Sequence, residues 1–153
     1  MEKIYREVEE LLEFIKEEMG KMGINAEDAF LNGDCGNLYK IFVSKFPKLT
    51  IPFLIKYKDE PMHIITKIGE KYYDITGETS LEKYAKRIRE RNYCITEKYE
   101  DKDFKLEQLS VADRLLDKMC DMYKYNDDYE QSEIDSQMHQ LVRLLKKRGD
   151  SQR

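Results

Sequence analysis

Apolar residues recur at helical spacing along the start of the chain, with Glu and Lys residues between them. Gly23 follows this stripe as a stop signal, and the pattern predicts an amphipathic helix over residues 2–22. The stripe consists of Ile4, Val8, Leu11, Leu12, Ile15, Met19 and Met22. Residues 24–34 are polar and rich in turn formers, so we expect them to connect this helix to the next element.

The segment CGNLYKIFVSKF carries a second helical pattern. Asp34 precedes it as a candidate N-cap, and Pro47 follows it as a helix breaker. Leu38, Phe42 and Phe46 recur every fourth residue, so they form the predicted buried stripe of this helix.

The middle of the chain changes to a strand-like pattern. Phe53, Ile55 and Tyr57 alternate in TIPFLIKYK, and the segments MHIITKI, KYYDIT and NYCITEKYE have the composition of further strands. Gly69–Glu70 suits a two-residue hairpin loop with glycine in the first place. These segments predict an antiparallel sheet of three to four strands.

Three further helices complete the prediction. Residues 80–91 are predicted to form a helix that begins at Thr79 or Ser80. The last third of the chain carries two more apolar stripes at helical spacing. They consist of Leu109, Ala112, Leu116, Met119 and Tyr123, and of Ile134, Met138, Leu141 and Leu145.

This order of elements predicts an α+β fold. A small antiparallel sheet packs on the Cys-bearing helix, with an N-terminal helix and a C-terminal helical hairpin. We expect residues 1–104 to form the core, residues 105–149 to form the hairpin packed on the same domain, and residues 150–153 to form a disordered tail.

Composition narrows the classes of function. The chain has 153 residues, of which 41% are apolar, so one domain with an ordinary core is expected. We expect no membrane association, because no apolar run is long enough to cross a bilayer and the start is acidic rather than signal-like. The net charge of −4 argues against nucleic acid as a partner. Three cysteines without a pairing or zinc spacing predict a reduced, cytoplasmic protein, in which Cys94 and Cys120 pack in the core.

Cys35, His63 and Asp74 are the candidate catalytic residues. A cysteine nucleophile needs a base within hydrogen-bond reach and a third group that orients the base. Cys35 lies in the first turn of its predicted helix, where unpaired N–H groups and the positive end of the helix dipole favour a thiolate. The N–H groups of Cys35 and Gly36 are also candidates to stabilise an oxyanion.

The hairpin register tests whether His63 and Asp74 can meet. A two-residue loop pairs Ile68 with Lys71, which places Ile65 opposite Asp74. Because strand side chains alternate, Asp74 then lies on the same face as His63. The two residues are diagonal neighbours about 7–8 Å apart at the backbone, a gap that their side chains can close. A loop of three residues would turn Asp74 to the opposite face.

The runs GDCGNLYKIF and HIITKIGEKYYDITG resemble the papain-like cysteine peptidase superfamily in its small bacterial and phage forms. The NlpC-type peptidases and the transglutaminase-like proteins are the nearest cases. In those families a Cys opens a helix that packs on an antiparallel sheet. A His begins the following strand region, and a polar third residue lies on the next strand.

The resemblance implies that Cys35 is a nucleophile, His63 a general base and acid, and Asp74 the group that orients His63. It implies a hydrolase or acyl transferase that acts on a peptide, another amide or a thioester, without a metal or organic cofactor. Asp34 before Cys35 is similar to the Asp-Cys pair of the NlpC type. Asn32 is a candidate oxyanion or substrate-binding residue.

The alternative is an inert papain-like binding module. Such a module, as found among phage or mobile-element effectors, would bind a protein partner through its C-terminal helices. The tyrosines at positions 123, 125 and 129 are either a partner surface or the corner of the hairpin. His139 lies one helical turn after Asp135, which gives either a metal pair or a solvated helix face.

Overall fold

The computed structural model describes residues 1–31, 35–91 and 99–110. These ranges form an α+β fold, as the sequence predicts. Its helices are α1 (Glu2–Lys21), α2 (Ala26–Leu31), α3 (Cys35–Lys45) and α4 (Leu81–Arg91). Its strands are β1 (Thr50–Tyr57), β2 (Glu60–Ile68), β3 (Lys71–Asp74), β4 (Gly77–Thr79) and β5 (Phe104–Gln108).

The strands form one antiparallel sheet in the order β4-β3-β2-β1-β5. The prediction of three to four strands is therefore too low, since the described residues contain five. β4 is only three residues long, which is too short to show an alternating pattern. β5 is an edge strand with mostly polar side chains, and polar side chains suit an edge that faces water.

β5 also changes the boundary of the predicted C-terminal hairpin. Residues 105–108 were expected to begin that hairpin, but they pair with β1 as part of the sheet. The charged segment before them forms a single 3₁₀ turn, Asp101–Asp103. The helical stripes that follow residue 110, the tail at 150–153 and most of the predicted strand NYCITEKYE lie outside the described residues.

The predicted first helix is confirmed as α1, and its end follows from Gly23. The N–H of Gly23 donates to Gly20 O at 3.1 Å, and the N–H of Ile24 donates to Met19 O at 2.9 Å. This pair of bonds is the Schellman motif, which needs a left-handed residue, and Gly23 has φ +79°. The chain then enters α2, a six-residue helix within the segment expected to be a turn. Buried Ala26 and Phe30 explain this helix, because packing stabilises short helices that are weak alone.

The helices cover both faces of the sheet. The first three pack on one face, where α1 and α3 contribute most of the buried residues. Leu38 and Phe42 of α3 and Phe46, directly after it, are buried, as their spacing predicts. On the opposite face, Tyr84 and Ala85 of α4 pack against a cluster from the strands that includes Ile55, Ile65 and Phe104.

The register of β2 and β3 confirms the two-residue hairpin loop. Ile68 pairs with Lys71, and Thr66 pairs with Tyr73. Gly69 has φ +64°, the conformation that glycine adopts without cost in the first position of such a loop. The N–H of Glu70 donates to the Tyr5 hydroxyl at 3.0 Å, so α1 is fastened to the tip of the hairpin.

We expect Gly69→Ala to lower the free energy of unfolding by about 1–2 kcal/mol, because alanine is strained in the left-handed region. A Cβ at this position would also lie 2.7 Å from the Tyr5 hydroxyl and would clash with the Met1 side chain. Gly20→Ala is the matched control, since its Cβ meets no atom within 4 Å and its backbone is helical. Urea denaturation of the two variants measures the difference. Equal stability of Gly69→Ala and the unmodified protein would contradict the prediction.

None of the described helices is long and apolar enough to cross a bilayer.

Candidate active site

His63 lies on β2, directly after an irregularity in its pairing with β1. Ile55 pairs with His63 and Lys56 pairs with Pro61, so Met62 is an extra residue and forms a one-residue bulge. Bulges redirect side chains and are frequent beside active sites. His63 points to the face that α4 covers. There its ring stacks on Tyr84, with centroids 4.9 Å apart and the planes inclined by 6°.

Asp74 is the last residue of β3 and faces the same side of the sheet as His63. Its Oδ2 lies 3.4 Å from His63 Nε2, so the diagonal contact expected from the register is present. Its Oδ1 accepts the backbone N–H of Thr76 at 2.8 Å and also the Thr76 hydroxyl. An Asp that binds the backbone two residues ahead forms a local turn. This turn ends β3 and fixes the orientation of the carboxylate.

Cys35 is the first residue of α3 and belongs to a buried cluster with Leu54 and Ile64 on the other face of the sheet. It still lies close enough to His63 to act on the pKa of the imidazole. β3 pairs with β2 only from Thr66 to Ile68. The half of β2 that carries His63 therefore has, within the described ranges, no strand paired to it on that side.

All three candidate residues are buried. The exposed fraction is 3% for Cys35, 1% for His63 and 1% for Asp74. Ionisable groups are rarely buried to this degree unless they are paired or serve a site. A small buried cysteine that merely packs the start of a helix would also satisfy the Cys35 environment, but it does not explain two buried ionisable groups beside it.

The electrostatics of the cluster favour a protonated imidazole. Burial by itself would lower the pKa of His63, but the interactions of the imidazole with nearby Asp74 and Cys35 outweigh it and raise the pKa to about 9. Burial would raise the pKa of Asp74, yet His63 and Thr76 hold it below its usual value. Burial, together with the charge of Cys35, raises the pKa of the Tyr84 hydroxyl well above its ordinary range.

Several polar atoms at the site lack a hydrogen bond of full geometry. Within the described part of the chain, the buried side-chain atoms without such a partner are His63 Nδ1 and Nε2, Asp74 Oδ2, Arg87 Nη1 and Thr79 Oγ1. Four of these five atoms belong to one cluster. Each unpaired buried group costs roughly 1–3 kcal/mol, and such groups concentrate where function requires them. This concentration marks the cluster as the candidate functional site.

Three neighbours of the triad were not among the residues singled out from the sequence. Thr76 could have been identified from the sequence, because the register that pairs Ile68 with Lys71 also places Thr76 opposite His63. Tyr84 had a weaker signal, since it lies on the apolar stripe of α4. No sequence feature indicated Arg87. It lies eleven positions after Thr76, and only the packing of α4 on the sheet brings the two together.

The remaining sequence candidates divide into two groups. Gly36 is buried in the first turn of α3, beside Cys35. The second group lies outside the described residues: Asn32, Asp34, Cys94, Cys120, Tyr123, Tyr125, Tyr129, Asp135, Met138 and His139. Among the residues that the structure does describe, no group of three Cys, His, Asp or Glu side chains has the arrangement of a metal site.

The fold and the site together define an α+β protein with a buried cysteine at the start of a helix and a buried histidine and aspartate on neighbouring strands of its sheet. A family model described as Phage YunG-like protein matches residues 11–112, which is more than half of the chain. The chain therefore belongs to the Phage YunG-like family. No curated protein and no solved structure matches it.

Proposed function

We propose that the protein is a cysteine-dependent hydrolase or acyl transferase that acts on an amide or thioester bond through Cys35, His63 and Asp74. The observation that carries the proposal is the buried imidazole of His63, whose Nε2 lies 3.4 Å from Asp74 Oδ2 and whose pKa is raised by both Asp74 and Cys35. An imidazole with these two partners can take a proton from the thiol and later return it to a leaving group.

The proposed first step is acylation of Cys35. Its thiolate sulfur forms a bond to the substrate carbonyl carbon, and the carbonyl electron pair moves to oxygen. When the tetrahedral intermediate collapses, the bond to the leaving group breaks and protonated His63 gives its proton to that group. The Cys35 and Gly36 N–H groups, in the first turn of α3, would stabilise the oxyanion, because no carbonyl within the helix is available to them.

The proposed second step releases the acyl group. His63 takes a proton from water or from an acceptor amine, whose oxygen or nitrogen then attacks the thioester carbon. The carbon–sulfur bond breaks, which returns Cys35 as thiolate and leaves His63 protonated. With Nε2 directed at Asp74, Nδ1 is the nitrogen that would exchange protons with the thiol and the substrate. Asp74 would hold the ring in this orientation and stabilise its positive charge.

The setting proposed for this chemistry is the reducing cytoplasm, where a thiolate nucleophile survives. The resemblance of the segments around Cys35, His63 and Asp74 to the papain-like superfamily supports the same assignment of roles. In both cases the nucleophile opens a helix and the base and orienting group follow on neighbouring strands.

Alkylation of Cys35 by iodoacetamide tests the proposal. At pH 6 a free thiol is almost entirely protonated, whereas a thiolate held by an imidazolium stays reactive. We expect Cys35 to react roughly tenfold or more faster than free cysteine at this pH, and His63→Ala to remove the advantage. Peptide mass spectrometry separates Cys35 from the chain's other two cysteines.

His63→Asn serves as a second variant if the alanine variant does not fold. A Cys35 that reacts no faster than free cysteine, with no change on replacing His63, would exclude the catalytic proposal.

The alternative proposal is an inert papain-like module that binds a protein partner through its C-terminal helices. The burial of all three triad side chains favours it, because a large substrate needs access to the sulfur. In that case Cys35→Ala would leave the biological function intact. Met138→Asp or Tyr129→Ala would abolish it.

A further inference from the structure

Arg87 connects α4 to the carboxylate end of the candidate triad. Its Nη1 lies 3.5 Å from Asp74 Oδ2, and its Nη2 donates to Thr76 Oγ1 at 3.0 Å. The Thr76 hydroxyl in turn donates to Asp74 Oδ1. These contacts form a closed ring of three side chains, in which both oxygens of Asp74 are engaged.

One oxygen in this ring has two cationic neighbours. Asp74 Oδ2 faces His63 Nε2 at 3.4 Å and Arg87 Nη1 at 3.5 Å. An arginine stays charged at every accessible pH, so its guanidinium competes permanently with the imidazolium for this oxygen. His63 and Asp74 are each 1% exposed, and in such a buried setting charges act strongly on one another.

We propose that Arg87 is a positioning residue, which holds the Asp74 carboxylate in line with His63 and limits how strongly that carboxylate retains the imidazole proton. This inference rests on the proposed function, since the proton that His63 must give up to a leaving group is the one concerned. Without Arg87, the Asp74 carboxylate would hold the imidazole proton more tightly, and His63 would be a weaker acid. The guanidinium balances that attraction.

Four charged or titratable groups lie around His63, on three of the elements near it. α3 contributes Cys35, β3 contributes Asp74, and α4 contributes Tyr84 and Arg87. Burial keeps the Tyr84 hydroxyl neutral by raising its pKa, and β1 places the apolar Ile55 opposite His63. Arg87 is therefore the permanent positive charge among these groups.

Proton NMR titration of His63 tests the proposal without requiring a substrate. The chain has two histidines, so His139→Gln leaves a single imidazole signal. In this background we expect Arg87→Met to raise the titration midpoint of His63 by about half to one pH unit, because a nearby positive charge is removed. Arg87→Lys keeps the charge and is expected to restore most of the original midpoint. Arg87→Gln serves as a second neutral variant should the methionine variant not fold.

Arg89→Met is the matched control. Arg89 lies on the same helix, but its partner is Asp101, at 3.3 Å, on the protein surface. It should leave the His63 midpoint unchanged. An unchanged or lowered midpoint in Arg87→Met, or a raised midpoint in Arg87→Lys equal to that in Arg87→Met, would overturn the role of Arg87.

The two proposals fail in different ways. If Cys35 is reactive and the midpoint does not respond to Arg87, the role of Arg87 alone is wrong. If Cys35 is unreactive at pH 6, there is no reaction for Arg87 to serve, and the inference falls together with the proposed function. A rise in the midpoint together with a reactive Cys35 supports both.

Discussion

Asp74→Ala is expected to lower the free energy of unfolding by about 3–5 kcal/mol, because it removes one partner from a buried charge cluster. The carboxylate contacts His63, Thr76 and Arg87, and its exposed fraction is 1%. Without it the imidazolium and the guanidinium would remain beside each other with no anion between them. The turn that Asp74 Oδ1 forms with Thr76 would also lose its acceptor.

Urea denaturation at pH 7 measures this loss, and two variants separate its causes. Asp74→Asn keeps the shape and the acceptor oxygen for Thr76 but removes the charge, so we expect a smaller loss. Glu78→Ala removes a carboxylate from the adjacent strand, where it makes a surface ion pair with Lys71 at 3.7 Å. Such pairs are worth about 0–1 kcal/mol. A loss in Asp74→Ala no larger than that in Glu78→Ala would contradict the buried network.

The local part of this site could be predicted from the sequence. Gly69 permits a two-residue loop, the loop sets the register, and the register places Asp74 on the face of His63. Every step uses interactions between residues near in the chain. The start of α4 was also predicted from local sequence. Ser80, one of the two predicted caps, accepts the N–H of Lys83 through its Oγ at 3.1 Å.

The long-range part of the site could not be predicted in this way. Within the described residues, Arg87 contacts Asp74 and Thr76, which lie beyond helical spacing in the chain, and these contacts depend on how α4 packs across the sheet. The bulge at Met62 is an irregularity of strand pairing, which the composition of the segment does not indicate.

The difference between local and long-range interactions also explains why the predicted number of strands was too low. β4 and β5 are edge strands, and each pairs with only one neighbour. An edge strand is stabilised by the ladder it joins more than by its own side chains, so its sequence carries a weak pattern. In contrast β2, which pairs with a strand on each side, was predicted from the β-branched residues of MHIITKI.

The titration of His63 is the second large effect that we expect. In the His139→Gln background, His63 should keep its proton through neutral pH and titrate at about 9 rather than at the ordinary 6.5. Asp74→Asn should reverse the direction of the shift. It removes the negative charge beside the ring but leaves the burial, and burial alone disfavours the charged imidazole.

We therefore expect the midpoint in Asp74→Asn to fall by about two units or more, to the ordinary value or below it. Glu78→Gln is the matched control, since it removes an exposed charge from the adjacent strand and should leave the midpoint near 9. A wild-type midpoint near 6.5 or below would mean that the charges beside the ring do not outweigh the effect of burial on the imidazole. His63 would then be mostly neutral at pH 7, and the expected retention of its proton through neutral pH would be wrong.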